Sequence, residues 1–491
     1  MTYRRDALRM NALEICPSFS SWDSVSTRAK VPSHRQAAFP PLAPRYAGRH
    51  LPRVPIPSAE QKPERTPPTA RVICLSLAAL SFVLHLALAL RLDAVGSLSQ
   101  YDVFFHADTQ ARLSCVVDGV CDSRASISHP ALDLLVNPPV RTLAKIASTL
   151  GLWSGDEAAA RHGIALGVSP VAAAIRTACV YMMLVYMRLR PGSALLGTLL
   201  VTVSFSGVLF GAIPESFALS GAVIAAAFAW AARTQKGEPA HQAKWIALAA
   251  VGSAITITNL APVLCIWGAA RWKAGEDWNA IARTAARLAI SSVAVVALLA
   301  LVSFTLYDSR PLTAEAGVRY VSKWTEGNDP SQRAAWFPTA AANSVVGTQP
   351  LLSDNYQARK NTSRYLFRFT FDDTPGVFSA ARPIATVLVV VAFIGGALML
   401  RGSSTQRAVA GASLAILGFN AVLHTFWGVG HFLYSQHWHL AFCLLLIGVL
   451  AAPRRFELVA NVALVALTLA VLAQNWGVAR IMLAHFSLAV A

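Results

Sequence analysis

WIALAAVGSAITITNLAPVLCIWGAA, residues 245–270, is apolar throughout and reads in two ways. As one helix it would be roughly 39 Å long, enough to cross a bilayer once with tilt. As a hairpin broken at Thr258-Asn259-Leu260-Ala261-Pro262 it returns to the side it came from. The choice reverses the parity of everything downstream. A single crossing places Arg271, Lys273, Arg283, Arg287, Arg401, Arg407, Arg454 and Arg455 outside and leaves Arg188, Arg190, Arg233, Lys236 and Lys244 inside. The hairpin gathers all of these basic residues in short cytoplasmic turns. Cytoplasmic loops carry the excess of Lys and Arg, so the hairpin is preferred. Its arms are short, which predicts a half-depth hairpin packed against neighbouring helices.

Outward from that segment, further apolar runs lie at 72–90, 164–187, 193–211, 215–232, 284–306, 384–400, 408–427, 432–451 and 457–476. With the two hairpin arms they predict an all-α polytopic membrane protein of about eleven membrane segments, N-terminus in and C-terminus out. Composition agrees: 55% of the 491 residues are apolar and 14% charged, with mean hydropathy +0.48. Soluble domains carry about 25% charged residues. The net charge of +17 is read first as a topology signal. No zinc-finger, helix-turn-helix or phosphate-loop pattern accompanies it, so nucleic acid is not the expected partner.

Four regions follow. Residues 1–71 form a basic, Pro-rich tail with twelve Lys/Arg against five acids, too poor in apolar runs to build a core and expected to be disordered in the cytoplasm. Residues 72–306 form a membrane module that includes a first outer loop, 92–163. Residues 307–383 form a large extracytoplasmic loop, and 384–491 the C-terminal helices. Within the first loop, Leu134–Leu150 is apolar but interrupted by Asn137-Pro138-Pro139, Arg141 and Lys145, the pattern of a helix lying on the membrane surface. Cys115 and Cys121 share that loop, where an oxidising periplasm favours a short disulfide; Cys74, Cys179, Cys265 and Cys443 sit in apolar spans and are expected to be reduced.

The polar residues that break the apolar pattern are the candidates for chemistry. Asp108, in Tyr101-Asp102-Val103-Phe104-Phe105-His106-Ala107-Asp108-Thr109-Gln110-Ala111-Arg112, follows the first span closely. A carboxylate at the water–lipid boundary among aromatic residues suits a general base. Its plainer reading is an i,i+4 pair with Arg112 on a helix surface. Glu215 is the only acid between Glu157 and Glu238, and lies at an outer turn just after Pro214. It suits a helix N-terminus as well as a site. Arg176 lies inside the second span, ~12 Å below its outer end, where a charge should face a cavity, an acid or a lipid phosphate. His424, His431, His437 and His439 lack the i,i+4 spacing of a helical metal pair, so aromatic-belt packing or substrate hydrogen bonding by His431 or Tyr434 is the reading.

This arrangement resembles the GT-C superfamily of integral-membrane glycosyltransferases, which use polyprenyl-phosphate sugars. The resemblance is carried by Phe105-His106-Ala107-Asp108 with Arg112, by His129-Pro130-Ala131-Leu132 ahead of the interfacial helix, by Pro214-Glu215-Ser216-Phe217 and by the hairpin Thr256-Ile257-Thr258-Asn259-Leu260-Ala261-Pro262. Asn259 stands where a Lys is frequent in that superfamily, and the paired adjacent acids common in its first loop are absent. The resemblance implies an inverting transfer in which Asp108 takes the proton of an acceptor hydroxyl. Asp102, Arg112, His129, Glu215 and Asn259 would line the substrate site, and Arg176 or the cluster Arg359, Lys360, Arg364 and Arg368 would contact the donor phosphate. The implied partners are a polyprenyl-phosphate-linked sugar, the bilayer and a glycan, lipid or protein acceptor. The implied place is a bacterial inner membrane, with the site facing the periplasm. Members differ in using a divalent metal, and no residue pattern here selects one. A lipid-linked polysaccharide polymerase or ligase, or a non-enzymatic lipid-glycan flippase or transporter, remains open beside it.

Overall fold

The computed structural model describes residues 68–119, 129–153, 155–234, 242–307, 329–348, 350–354, 365–371, 381–427 and 431–488, all within one unit, Arg65–Ala491. The expected tail lies outside the described residues, as do Cys121, Arg359 and Arg364. The protein is an all-α polytopic membrane protein. Among the described residues seven helices are long and apolar enough to cross a bilayer, or eight if one bent pair makes a single span.

Helix α1 (Pro68–Ala94) shows how these helices are specified. Cys74, Leu77, Ser81, His85, Ala89 and Leu92 recur at helical spacing and are buried, whereas Val72, Leu75, Leu80, Val83 and Leu90 on the other face are exposed. Exposed apolar faces of this extent are stable only against lipid. After α1, α2 (Thr109–Asp118) and α3 (Leu132–Thr149) belong to the segment 92–163, expected to be an outer loop. Helix α3 covers the apolar segment expected to lie along the membrane surface and has two faces: Leu132, Val140 and Ala144 are buried, and Leu143, Ile146 and Leu150 are exposed. Helix α4 (Glu157–Tyr186) and α7 (Ser216–Arg233) are the central spans, with 56% and 72% of their apolar windows buried, against 28% for α1.

Between them runs a broken span, α5 (Pro191–Val203) and α6 (Phe205–Ala212), bent by 61° at Ser204. No proline or glycine sits at the bend. The Ser204 hydroxyl donates to the Val201 carbonyl at 2.7 Å and accepts from the Gly207 amide at 3.3 Å, while Asn475 Nδ2 donates to the freed Val203 carbonyl at 2.8 Å. Side chains thereby satisfy backbone groups that the break exposes.

Segment 245–270 is broken, at residues 256–259, slightly ahead of the expected 258–262. Helix α8 (Gln242–Ile255) and α9 (Leu260–Lys273) flank a 3-10 turn, Ile257–Asn259. Each arm has 14 residues, about 21 Å, short of a ~30 Å hydrocarbon core. Lys273, the last residue of α9, donates to Ala231, Ala232 and Thr234 carbonyls at the end of α7, just before α8 begins. The hairpin therefore starts and ends on one side.

After α10 (Trp278–Tyr307), the loop expected to lie wholly outside sends part of itself into the bundle. Helix α11 (Pro330–Val345) buries Ala340–Val345 against α6, α12 (Ala381–Leu400) and α13 (Ser404–Phe426). At 16 residues, with Pro338 inside it, it is too short to register as a span. Strands β1 (Leu351–Asp354) and β2 (Phe367–Thr370) then pair antiparallel, Leu351 opposite Thr370 and Asp354 opposite Phe367. A 3-10 segment, Phe432–His437, leads into the short apolar helix α14 (His439–Ile447). The last helix, α15 (Glu457–Leu488), has 32 residues, about 48 Å, and outruns the expected span. Its extra turns bring Phe486 against Phe104, Tyr365, Phe367 and Phe369 of the two outer loops.

Candidate functional site

Helices α2, α3 and α4 and the α6–α7 turn line a small open cleft, with Arg112, Asp133, Asn137, Ser169, Glu215 and Ser216 as its polar lining. Glu215 is the N-cap of α7, and its carboxylate accepts from the Ser216 amide. A helix N-terminus favours that negative charge. Its partner is Arg112 of α2, with Nε 3.8 Å from Glu215 Oε2. Both are buried, at 9% and 7% exposure, and Arg112 Nε has no hydrogen-bond partner. Asp133, in the first turn of α3, has its carboxyl pushed above the usual range by burial, against the pull of Arg112. Its Oδ1 lies 3.2 Å from Cys115 Sγ. Cys115 is disulfide-bonded, and its partner lies outside the described residues.

Asp108 is the exposed N-cap of α2, one turn before Arg112, whose amide donates to the Asp108 carbonyl at 3.0 Å. The Arg112 guanidinium thus turns to Glu215, a residue 103 positions away, rather than forming the local pair that the spacing suggested. His129 sits close by. Its Nδ1 donates to the Ile255 carbonyl at 2.6 Å and lies 3.2 Å from Thr256 Oγ1, which ties the first loop to the tip of the α8–α9 hairpin. Burial first, and then the Arg112 charge, hold that imidazole well below its ordinary value, so it is neutral.

Other expected site residues lie elsewhere. Asp102 belongs to a second polar cluster: Arg368 Nη1 donates to Asp102 Oδ2 and to His106 Nδ1, each at 3.1 Å. Burial pushes the Asp102 carboxyl up to about 6 despite Arg368, and holds His106 at about 4. Arg176 is enclosed in the bundle and faces neither an acid nor the cleft. Nη1 donates to Gln436 Oε1 at 2.7 Å and Nη2 to the Gly207 carbonyl at 3.3 Å. Asn259 is fully buried, donating to Ser220 Oγ at 2.9 Å and the Gly252 carbonyl at 3.0 Å, so it fastens the hairpin turn. His431 packs edge-on to Trp336, and Tyr434 stacks on His424. Among the described residues no group of three or more His, Cys, Asp and Glu side chains is placed to hold a metal ion.

Asp133, Asn137 and Ser169 were not singled out in the sequence. Asp133 and Asn137 fall at i,i+4 on one face of α3, a signal that was there to be read. Ser169 left none. Protein-family models, curated proteins and solved structures contain no match to this chain.

Proposed function

We propose that the protein is a glycosyltransferase of the inner membrane that moves a sugar from a polyprenyl-phosphate donor to a hydroxyl acceptor outside the cytoplasm. The observation that carries this reading is the layering at the cleft. An exposed carboxylate, Asp108, stands one turn from a buried guanidinium, Arg112, that lines the cleft. Beside them α3 keeps Leu143, Ile146 and Leu150 exposed. A reaction between a lipid-borne phosphosugar and a water-borne hydroxyl needs these three surfaces together.

Asp108 accepts the proton of the acceptor hydroxyl as its oxygen attacks the anomeric carbon. The bond from that carbon to the phosphate oxygen breaks, and polyprenyl phosphate leaves with its charge facing Arg112. Glu215 holds Arg112 in place. In the topology that goes with this reading, the eight long or broken spans, the two arms of the re-entrant hairpin and the short segment His439–Ala451 make eleven membrane segments, N-terminus in, and the cleft faces the periplasm. Transfer of a whole lipid-linked repeat unit, as by a polymerase or ligase, would use the same groups.

A second reading has one observation in its favour. Broken helices such as α5–α6 form ion and substrate sites in transporters. Here, however, Asn475 takes the Val203 carbonyl, and Arg176 and His85 take that of Gly207. The break is filled by the protein itself. The test is sugar release from radiolabelled polyprenyl-phosphate sugars by purified wild type and Asp108→Asn. The expected result is transfer or slow hydrolysis that falls by about 10²-fold or more in the variant. Equal rates would remove Asp108 as the base. Silence of folded wild type across a broad donor panel, with lipid-glycan flipping in vesicles, would favour the transporter.

A further inference from the structure

The loop that delivers Asp108 holds an unusual backbone. Asp102, Phe105 and His106 all lie in the left-handed region, at φ 53°, 50° and 67°. That region is uncommon for any residue with a Cβ and an outlier for one as bulky as Phe. Such a conformation persists only where its surroundings over-determine it.

The surroundings here come from the second outer loop. The Phe105 amide donates to the Phe369 carbonyl at 3.0 Å, and the Phe369 amide to the Val103 carbonyl at 2.9 Å, so Phe104 is bridged to Phe369 of β2 in parallel. The Phe105 ring is wedged among Phe205, Phe371 and Phe432 at 4.7–5.8 Å. Arg368, next to Phe369 on β2, spans the remaining two left-handed residues. Its Nη1 reaches both Asp102 and His106, and its Nε donates to Ser353 Oγ on β1 at 3.1 Å. All three left-handed residues are therefore held by residues about 260 positions later in the chain, and the loop they shape ends two residues before α2.

We propose that Arg368 is a positioning residue, which holds loop 101–107 in its left-handed form and so sets Asp108 one turn ahead of the cleft residue Arg112. The proposal rests on the reading of Asp108 as the base. It assigns to the second outer loop a part in the chemistry of the first, without contact between Arg368 and substrate. A guanidinium suits the task because its fork serves Asp102, His106 and Ser353 at once, which a lysine ammonium on a flexible stem does not. A carboxylate displaced by about 1 Å loses on the order of 10²-fold in rate while donor binding persists.

The test compares full-length wild type, Arg368→Gln, Arg368→Lys and Ser353→Ala in one detergent, by transfer kinetics and by amide hydrogen exchange. In Arg368→Gln, kcat is expected to fall about 10- to 100-fold with donor KM changed less than about twofold. Exchange protection is expected to drop across residues 103–112 and to stay unchanged in α4 and α7. Arg368→Lys should recover part of kcat. Ser353→Ala, which frees one contact of Arg368 and leaves Asp102 untouched, should move both readouts the same way by a smaller amount, and it serves if Arg368→Gln does not fold. Unchanged protection in both the Gln and Ala variants would overturn the clamp. Lost protection with unchanged kcat would make it structural glue and overturn its link to Asp108. If wild type transfers no sugar from any donor, the glycosyltransferase reading fails separately, and exchange at residues 108–112 still decides whether Arg368 holds the helix that Asp108 caps.

Discussion

Arg112 and Arg176 are both buried arginines, yet they are housed in different ways. Arg112 lines an open cleft, faces the carboxylate of Glu215 at 3.8 Å and keeps Nε without a hydrogen-bond partner. Arg176 is 1% exposed, and its partners are an amide oxygen and a backbone carbonyl; like Arg112, it keeps a buried Nε without a hydrogen-bond partner. Those partners lie on the 3-10 segment before α14 and on α6, so Arg176 ties α4 to both. Gln436 extends the tie, donating to the Ser206 carbonyl and hydroxyl at 2.7 Å. A charge enclosed in the bundle, with only neutral groups of the scaffold as hydrogen-bond partners, serves the scaffold. A charge that faces an acid and lines a cleft is placed where a ligand could meet it. The sequence made Arg176 the more conspicuous residue because of its depth, but housing separates the two roles better than depth does.

The comparison would break if the two arginines responded alike to substitution. The largest effect is expected at the cleft: Arg112→Gln should lower transfer by about 10²-fold in protein that still inserts and folds, measured by donor turnover per folded molecule. For Arg176→Met the expected loss is of stability. Removing its donors leaves Gln436 Oε1 and the Gly207 carbonyl buried with fewer partners, a cost of about 1–3 kcal/mol for each group left unsatisfied. Thermal unfolding in detergent would show it, while turnover of the folded fraction stays within a few-fold of wild type. If Arg176→Met instead loses turnover at unchanged stability, the roles are reversed.

A smaller change sharpens the same contrast. At Gly221 an added Cβ would lie 2.5 Å from Gln436 Oε1 and 3.4 Å from Arg176 Cδ. Gly221→Ala should therefore destabilise by about 1–3 kcal/mol through overpacking, with donor KM unchanged. The smallest effect concerns pH in the Asp102–His106–Arg368 cluster. Asp102 titrates at about 6 in the folded protein, above its unfolded value of about 3.9, so its contribution is present below that value and lost as pH rises through 6. His106 titrates at about 4, below its unfolded value of about 6.5, so its contribution is present above 6.5 and lost as pH falls through 4. The two slopes oppose each other between pH 4 and 6, and wild-type stability should be nearly flat there. Asp102→Asn should unmask a melting temperature that rises with pH across that window, and His106→Gln one that falls. Parallel curves for the two variants would show that the groups do not titrate as their burial implies.

Much of the fold was legible because lipid leaves few options: apolar runs gave the spans, and basic residues in short turns located the break in 245–270. Glu215 was legible as a lone acid among apolar helices. Its pairing with Arg112 was not, because local spacing offered Asp108 as an equally good partner for Arg112. The bend at Ser204 was hidden for a related reason. The residue that makes it tolerable, Asn475, is 271 positions away, and no proline marks the spot. Helix α11 escaped notice because its buried half, Ala340–Val345, is made of small and polar residues that pack closely without being strongly hydrophobic. The left-handed Phe105 could not have been read at all, since nothing local favours it and β2 enforces it.

The length of α15 carries a consequence of another kind. Asn475, at the break in the membrane, and Phe486, under the outer loops, sit on one uninterrupted helix about 16 Å apart along its axis. A helix longer than the hydrocarbon is thick tilts when the bilayer thins. Tilting this one would swing Phe486 and strand β2 packed on it while Asn475 stays anchored, as a lever swings about a pivot. The thickness of the surrounding lipid would then be felt in the loop that leads into Asp108, and the proposed turnover would depend on acyl-chain length even for donors whose headgroups are identical.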